Sequence, residues 1–171
     1  DEDFERLRWM LLGALAVATR SVRLVTPYFL PDQALITALG VAALRGVEIE
    51  IFLPARNNLR LVQWAMQAQL WQVLERGCRV WLTPPPFDHT KLLVVDDGWA
   101  LVGSANWDPR SLRLNFEVGI ECYEPELGRR LAAIVAAKRA GAREVTLAEM
   151  DSRPLPLRLR DGVARLLTPY L

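Results

Sequence analysis

Histidine occurs once in this 171-residue chain, at His89; lysine occurs twice, at Lys91 and Lys138, and cysteine twice, at Cys78 and Cys122. Each scarcity excludes something. A lone histidine with two scattered cysteines offers neither a zinc-ligand cluster nor a disulfide framework, which suits a reducing compartment, and both cysteines read as packing residues. Excess charge is missing too. A formal net charge of +1 supplies no general attraction to nucleic acid or to an anionic membrane and leaves room only for local basic patches. The apolar run Trp9 to Ala18 is about half the ~20 residues that a bilayer crossing requires. It is flanked by Arg6, Arg8 and Arg20 and is followed by nothing resembling a signal cleavage site, so it reads as a buried helix.

What is present is the composition of an ordinary globular protein, 51% hydrophobic and 24% charged, enough for one sizeable core and therefore one domain over residues 1–171. The first residue is Asp1 rather than Met, and the chain opens directly in an apparent helix, which reads as a piece of something longer. Residues 3–19 are expected to be helical, and Ser21 to Thr26 a strand stopped by Pro27. Asp32 should cap a helix that runs to Arg45 and stops at Gly46. Val47 to Leu53 returns to strand, Asn57 or Asn58 should cap a long helix ending at Gly77, and Arg79 to Leu82 is a third strand. That alternation predicts an α/β fold with a mixed, mostly parallel central sheet flanked by helices. Lys91 to Asp96 and Trp99 to Val102 read as a hairpin, Asn115 to Tyr123 as a strand and Pro125 to Gly141 as a helix. From Arg153 onward leucine alternates with Arg158 and Arg160 before a short helical ending.

A single histidine is ordinarily a packing or surface residue, so its neighbours must carry any chemical argument. In a strand, residues two apart share a face, which would place His89 and Lys91 together and turn Asp96 away. An imidazole beside an ammonium suits a phosphate, because a ring nitrogen can attack phosphorus while the cation stabilises the phosphoryl oxygens. With 21 basic residues of which two are lysine, Lys91 departs from the chain's habitual use of arginine. Gly103 permits a close backbone approach, and Ser104 and Asn106 offer donors that either complete a phosphate cradle or, with Asp108, form an ordinary turn.

His89-x-Lys91, four residues, Asp96, six residues, Gly103-Ser104-x-Asn106: this spacing resembles the signature of the phospholipase D superfamily without a departure. The continuation from Asn106 to Glu117, and the segment Thr26-Pro27-Tyr28-Phe29-Leu30-Pro31-Asp32, are similar to the C-terminal catalytic half of bacterial cardiolipin synthases. The likeness runs from about residue 5 to the end.

That resemblance implies a two-step exchange through a phosphohistidine, in which one histidine attacks phosphorus while a second protonates the leaving alcohol and later activates the acceptor. His89 would be the nucleophile or the general acid, Lys91 and Asn106 would hold the phosphate, and Ser104 would support it. Asp96 would be a buried structural carboxylate, and Glu117 would accept from the far ring nitrogen of His89 and fix its tautomer. Arg110 and Arg113 adjoin the motif as further phosphate ligands. Arg153, Arg158, Arg160 and Arg165 are readable either as lipid-phosphate contacts or as a salt-bridged surface. No metal or organic cofactor is implied.

Two histidines are needed and one is present, so the partner is expected to be a second motif-bearing half from the same parent chain, or else a second copy of this one. The substrate would be a phospholipid such as phosphatidylglycerol, the parent working at the cytoplasmic face of the bacterial inner membrane, with no membrane span in this piece. A hydrolytic phospholipase D-type reaction is one alternative. A single-motif homodimeric nuclease is another, disfavoured by near-neutral charge, and a non-catalytic phosphate-binding or assembly half is a third. An apolar surface should be exposed where the other half belongs.

Overall fold

The apolar run near the start does form a helix, α1 (Arg6–Val17), and β1 (Ser21–Val25) follows it within four residues. The structure, a computed structural model, describes residues 5–170. Asp32 caps α2 (Gln33–Leu44) by accepting a 2.9 Å bond from the backbone N–H of Leu35, and Gly46 with φ of 90° ends the turn after it. β2 (Glu48–Pro54), α3 (Arg60–Leu74) and β3 (Arg79–Thr83) complete two parallel crossover units. Asn57 accepts from the N–H of Leu59 at 3.0 Å and shapes the turn before α3, but the residue at the cap position is Leu59.

Beyond β3 the chain stops crossing over. β4 (Leu92–Val95) and β5 (Trp99–Gly103) form a hairpin whose turn residues Asp96 and Asp97 both hold positive φ, 54° and 57°, as a type I′ turn requires. After the short α4 (Pro109–Arg113), β6 (Gly119–Cys122) adds the outer edge, α5 (Pro125–Arg139) returns across the sheet, and β7 (Arg143–Val145) closes the opposite edge. The helices α6 (Leu147–Asp151) and α7 (Leu155–Leu166) and a 3-10 turn (Thr168–Tyr170) end the described chain.

The strand order is β6-β5-β4-β1-β2-β3-β7. Only β1–β2 and β2–β3 are parallel; the other four pairings are antiparallel, which corrects the expectation of a mostly parallel sheet. The crossover rule applies while helices separate consecutive strands, and a three-residue turn, Asp96 to Gly98, between β4 and β5 forces reversal. Two further expectations also change. The strand anticipated from Asn115 is shortened to begin at Gly119, and the leucine–arginine tail is helical over Leu155–Leu166 although Leu155, Leu157 and Leu159 alternate at strand spacing.

Period-two burial divides the core between the two sheet faces. Val22, Leu24, Ile49, Ile51, Val80, Leu93 and Val95 pack against α1, α2 and α3, while Val25, Phe52, Trp81, Leu92 and Val94 meet Ala132 and Val135 of α5. The α5 face also buries charge. Glu50 accepts from Trp81 Nε1 at 3.1 Å and pairs with Arg139 at 3.1 Å. Cys78 is buried, its thiol pushed up to about 12 by desolvation, and serves as packing.

Candidate active site at the open end of the β4–β5 hairpin

His89 and Lys91 lie in the extended lead-in to β4 rather than within a strand, because ladder pairing begins at Leu92. They nevertheless come together. Lys91 Nζ stands 3.0 Å from Nδ1 and 3.1 Å from Nε2 of His89 and donates to the His89 carbonyl at 3.0 Å. The exposed imidazole is framed by Tyr28, edge-on at 6.3 Å between ring centroids, and by Phe87 at 5.7 Å. Partial burial and then the Lys91 charge hold the His89 pKa below its ordinary value, against a weaker opposing pull from Asp88. Lys91 is half-buried and is itself lowered by desolvation, opposed by Glu117, Asp108 and Asp88.

Asp88 anchors this segment. It accepts from the Thr90 N–H at 3.0 Å and from Lys138 Nζ of α5 at 2.6 Å, which tethers the residue before His89 to the helix behind the sheet. The scarce second lysine therefore has a structural task 50 positions away, invisible in local spacing.

The Gly-Ser-x-Asn loop is held by the loop after β1. Trp107 bridges to Phe29, with the two rings stacked at 6.2 Å; Leu30 N–H donates to the Trp107 carbonyl at 2.6 Å, and Trp107 N–H to the Tyr28 carbonyl at 3.2 Å. One loop thereby delivers Tyr28 to His89 and fixes the position of Asn106. Asn106 donates through Nδ2 to Ser111 Oγ at 3.3 Å, while its Oδ1 is buried without a hydrogen-bond partner among the described residues. Asp108 caps α4 through a 2.7 Å bond from Ser111 N–H, and burial pushes its carboxyl pKa up. A cavity of about 160 Å³ opens here, lined by Tyr28, Asn106, Asp108, Arg110, Ser111 and Asn115 among others.

Ser104 and Glu117 sit elsewhere than the sequence suggests. Ser104 Oγ donates to Glu117 and accepts from Val118 N–H at 2.9 Å, so its hydroxyl fastens the β5–β6 junction instead of standing open as a cradle donor. Glu117 also accepts from Asn115 Nδ2 at 3.2 Å, and no hydrogen bond joins it to His89 among the described residues. Gly103 is needed where it stands: a Cβ there would collide with the Val118 carbonyl oxygen.

Asp96 lies at the far end of the hairpin from His89 and is half-buried rather than fully buried. Its carboxylate accepts from the N–H groups of Thr19 (2.8 Å), Arg20 (2.7 Å) and Ser21 (2.9 Å) and from Thr19 Oγ1 (2.7 Å). Desolvation would raise its pKa, but those bonds outweigh it and hold the carboxyl below its ordinary value. Arg110 lines the cavity, whereas Arg113 is drawn away to Glu5 at 3.5 Å and Asp32 at 3.9 Å. Among the described residues no group of His, Cys, Asp and Glu is arranged to hold a metal ion. Sequence reasoning missed the framing role of Phe87 and the tethers Asp88, Lys138 and Ser111, and only the position of Asp88 beside His89 hinted at one of them.

The fold is that of phospholipase D-type proteins. The chain superposes on a phospholipase D family member, Nuc from Salmonella typhimurium, with a TM-score of 0.71 at 22% identity, covering 81% of this chain and 90% of that one. It also superposes on phosphatidylserine synthase from Haemophilus influenzae with a TM-score of 0.74 at 18% identity, covering 96% of this chain and 45% of that one. Residues 11–138 match the family described as cardiolipin synthase, PLD-like domain, and the chain belongs to that family. Over all 171 residues it is 36% identical to the major cardiolipin synthase ClsA of Bacillus subtilis and 34% identical to a cardiolipin synthase of Staphylococcus aureus. It spans about a third of those relatives, 36% and 35% of their respective lengths.

Proposed function

We propose that this chain is one half of a two-motif phosphatidyltransferase of the cardiolipin synthase type, with His89 at the reacting phosphorus. The observation that carries the reading is the exposed His89 ring with the Lys91 ammonium 3.0 Å from it, in a family described as cardiolipin synthase, PLD-like domain. A His89 ring nitrogen forms a bond to phosphorus as the bond from phosphorus to the leaving glycerol oxygen breaks; Lys91 stabilises the phosphoryl oxygens. The leaving oxygen takes a proton from a histidine of the second half. That same histidine then removes a proton from the acceptor alcohol, whose oxygen attacks phosphorus and releases His89. Phosphatidylglycerol as donor and a second phosphatidylglycerol as acceptor would yield cardiolipin and glycerol, with water as the competing acceptor.

Asn106 and Arg110, on the cavity beside Tyr28, hold the phosphodiester and its headgroup in this scheme; Ser104 and Glu117 fix the loop that presents them. The second half docks on the outer edge strand β6 and the loop leading into it, where Leu114, Phe116, Val118 and Ile120 stand exposed beside the site. It is supplied by the parent polypeptide, this chain being its C-terminal half, and the assembled enzyme works at the cytoplasmic face of the membrane.

Light scattering combined with a lipid headgroup-release assay tests the reading, on wild type and His89→Ala, with and without a separately produced N-terminal half. The chain alone should be an inactive monomer that gains turnover when the other half is added, and His89→Ala should abolish the gain. A monomer with full turnover by itself would sink the two-half mechanism.

A further inference from the structure

Helix α7 lies outside the residues matched by the family and carries an exposed apolar stripe that the catalytic scheme does not use. Leu155, Leu159, Val163 and Leu166, each more than 60% exposed, recur at three- and four-residue intervals along one face. The opposite face is occupied: Ala164 and Asp161 are buried, and Asp161 binds Arg153 and, at 2.7 Å, Arg160. Arg160 is further engaged over the Trp64 ring at 4.4 Å.

Those pairings leave two arginines. Arg158 and Arg165 stand two turns apart on one flank of the stripe, both exposed, and neither has a carboxylate partner among the described residues. They line, with Leu166 and the half-exposed Trp71 of α3, an open groove of about 660 Å³. Apolar residues on one side, unneutralised arginines along the rim and an amphipathic indole beside them are the composition of a helix lying in a bilayer interface. The 3-10 turn after α7 packs against α4, which carries Arg110, so this surface continues toward the cavity beside Asn106.

We propose that α7 is an interfacial membrane-binding helix. Its Leu155-Leu159-Val163-Leu166 stripe enters the headgroup boundary of an anionic bilayer, and Arg158 and Arg165 contact lipid phosphates. Charge favours this occupant over a protein partner: Arg158 and Arg165, the latter held only by the neutral Gln72 amide, outnumber Asp151, the one exposed carboxylate on the groove without an ion pair among the described residues. The inference rests on the phospholipid reading above for its biological sense, although the binding itself requires no turnover.

The test is sedimentation of the 171-residue chain with vesicles of phosphatidylcholine alone or of phosphatidylcholine mixed with phosphatidylglycerol. Wild type and His89→Ala should bind the anionic vesicles alike, and binding should fall as salt rises. The Arg158→Glu/Arg165→Glu and Leu159→Ser/Leu166→Ser double variants should each lose about tenfold in partitioning, by the usual worth of a basic or apolar group at an anionic interface. Circular dichroism melts check their fold, and if either pair unfolds, the single changes Arg158→Gln and Leu159→Ser carry the comparison. Equal binding to neutral vesicles, unchanged binding in folded variants, or a wild-type dimer abolished by Leu159→Ser/Leu166→Ser would each overturn the proposal. Headgroup release from detergent-dispersed phosphatidylglycerol, with the second half added, reports separately on the catalytic reading. Either result can therefore fail without the other.

Discussion

The two ends of the β4–β5 hairpin carry residues of the same motif and treat them in opposite ways. At the turn end Asp96 receives four hydrogen bonds from Thr19, Arg20 and Ser21, which saturates its carboxylate and ties α1 to the sheet. At the open end His89 is exposed, has Lys91 as its polar neighbour, and is held by aromatic rings and by a tether one residue away. Full satisfaction stabilises a structure, whereas a group meant to react must keep part of its bonding capacity open. One motif thus spans a saturated carboxylate and an exposed imidazole, joined by four buried residues of strand.

Breaking the open end should produce the largest effect. His89→Ala is expected to lower headgroup release by about a thousandfold or more in the assembled enzyme, while its thermal melt stays within a degree or two of wild type. A matching loss of stability would mean that His89 belongs to the structural class instead.

Breaking the turn end should do the reverse. Asp96→Ala leaves three backbone N–H groups without their acceptor and is expected to cost about 2–4 kcal/mol in urea denaturation, with turnover per folded molecule retained. The pH dependence has a defined sign. A folded pKa below the unfolded value of about 4 means that the Asp96 contribution is full above that pH and is lost as pH falls through the folded value. Asp96→Asn should flatten that acid limb of the stability curve.

Gly103→Ala probes the junction between the two ends. Its Cβ would meet the Val118 carbonyl, a backbone atom that cannot rotate away, so a loss of about 2 kcal/mol is expected along with a displaced Ser104–Glu117 pair. Lys91→Met sharpens the electrostatic side. Removing the like charge should raise the His89 pKa, measurable by NMR titration of the imidazole, and shift the acid limb of activity to higher pH. Arg113→Ala should matter least, at about 0.5 kcal/mol or below and with turnover kept, because its two ion pairs are long and solvent-screened.

Motif spacing made the pairing of His89 with Lys91 legible, since the two are close neighbours along the chain and extended backbone brings them together in any case. The Asp32 cap and the stops at Gly46 and Gly77 were legible for the same local reason. Strand direction was not: β1 pairs antiparallel with β4 across almost seventy intervening residues, and no local pattern encodes that partner. The role of Glu117 was misread as well. Its expected bond to His89 depends on where the β5–β6 junction folds, and Ser104 lies nearer.

By itself, then, the order of residues determined the local quantities: helix caps, turn dihedrals at Asp96 and Asp97, the alternating core faces and the adjacency of His89 to Lys91. These depend on interactions within a few positions, where backbone geometry leaves few choices. Tertiary structure alone decided that Lys138 holds Asp88, that Tyr28 and Phe87 frame the imidazole, that Arg113 leaves the site and that an apolar stripe on α7 faces outward. Those are competitions among distant groups for a limited set of partners, and only the packed sheet brings the competitors within reach of one another.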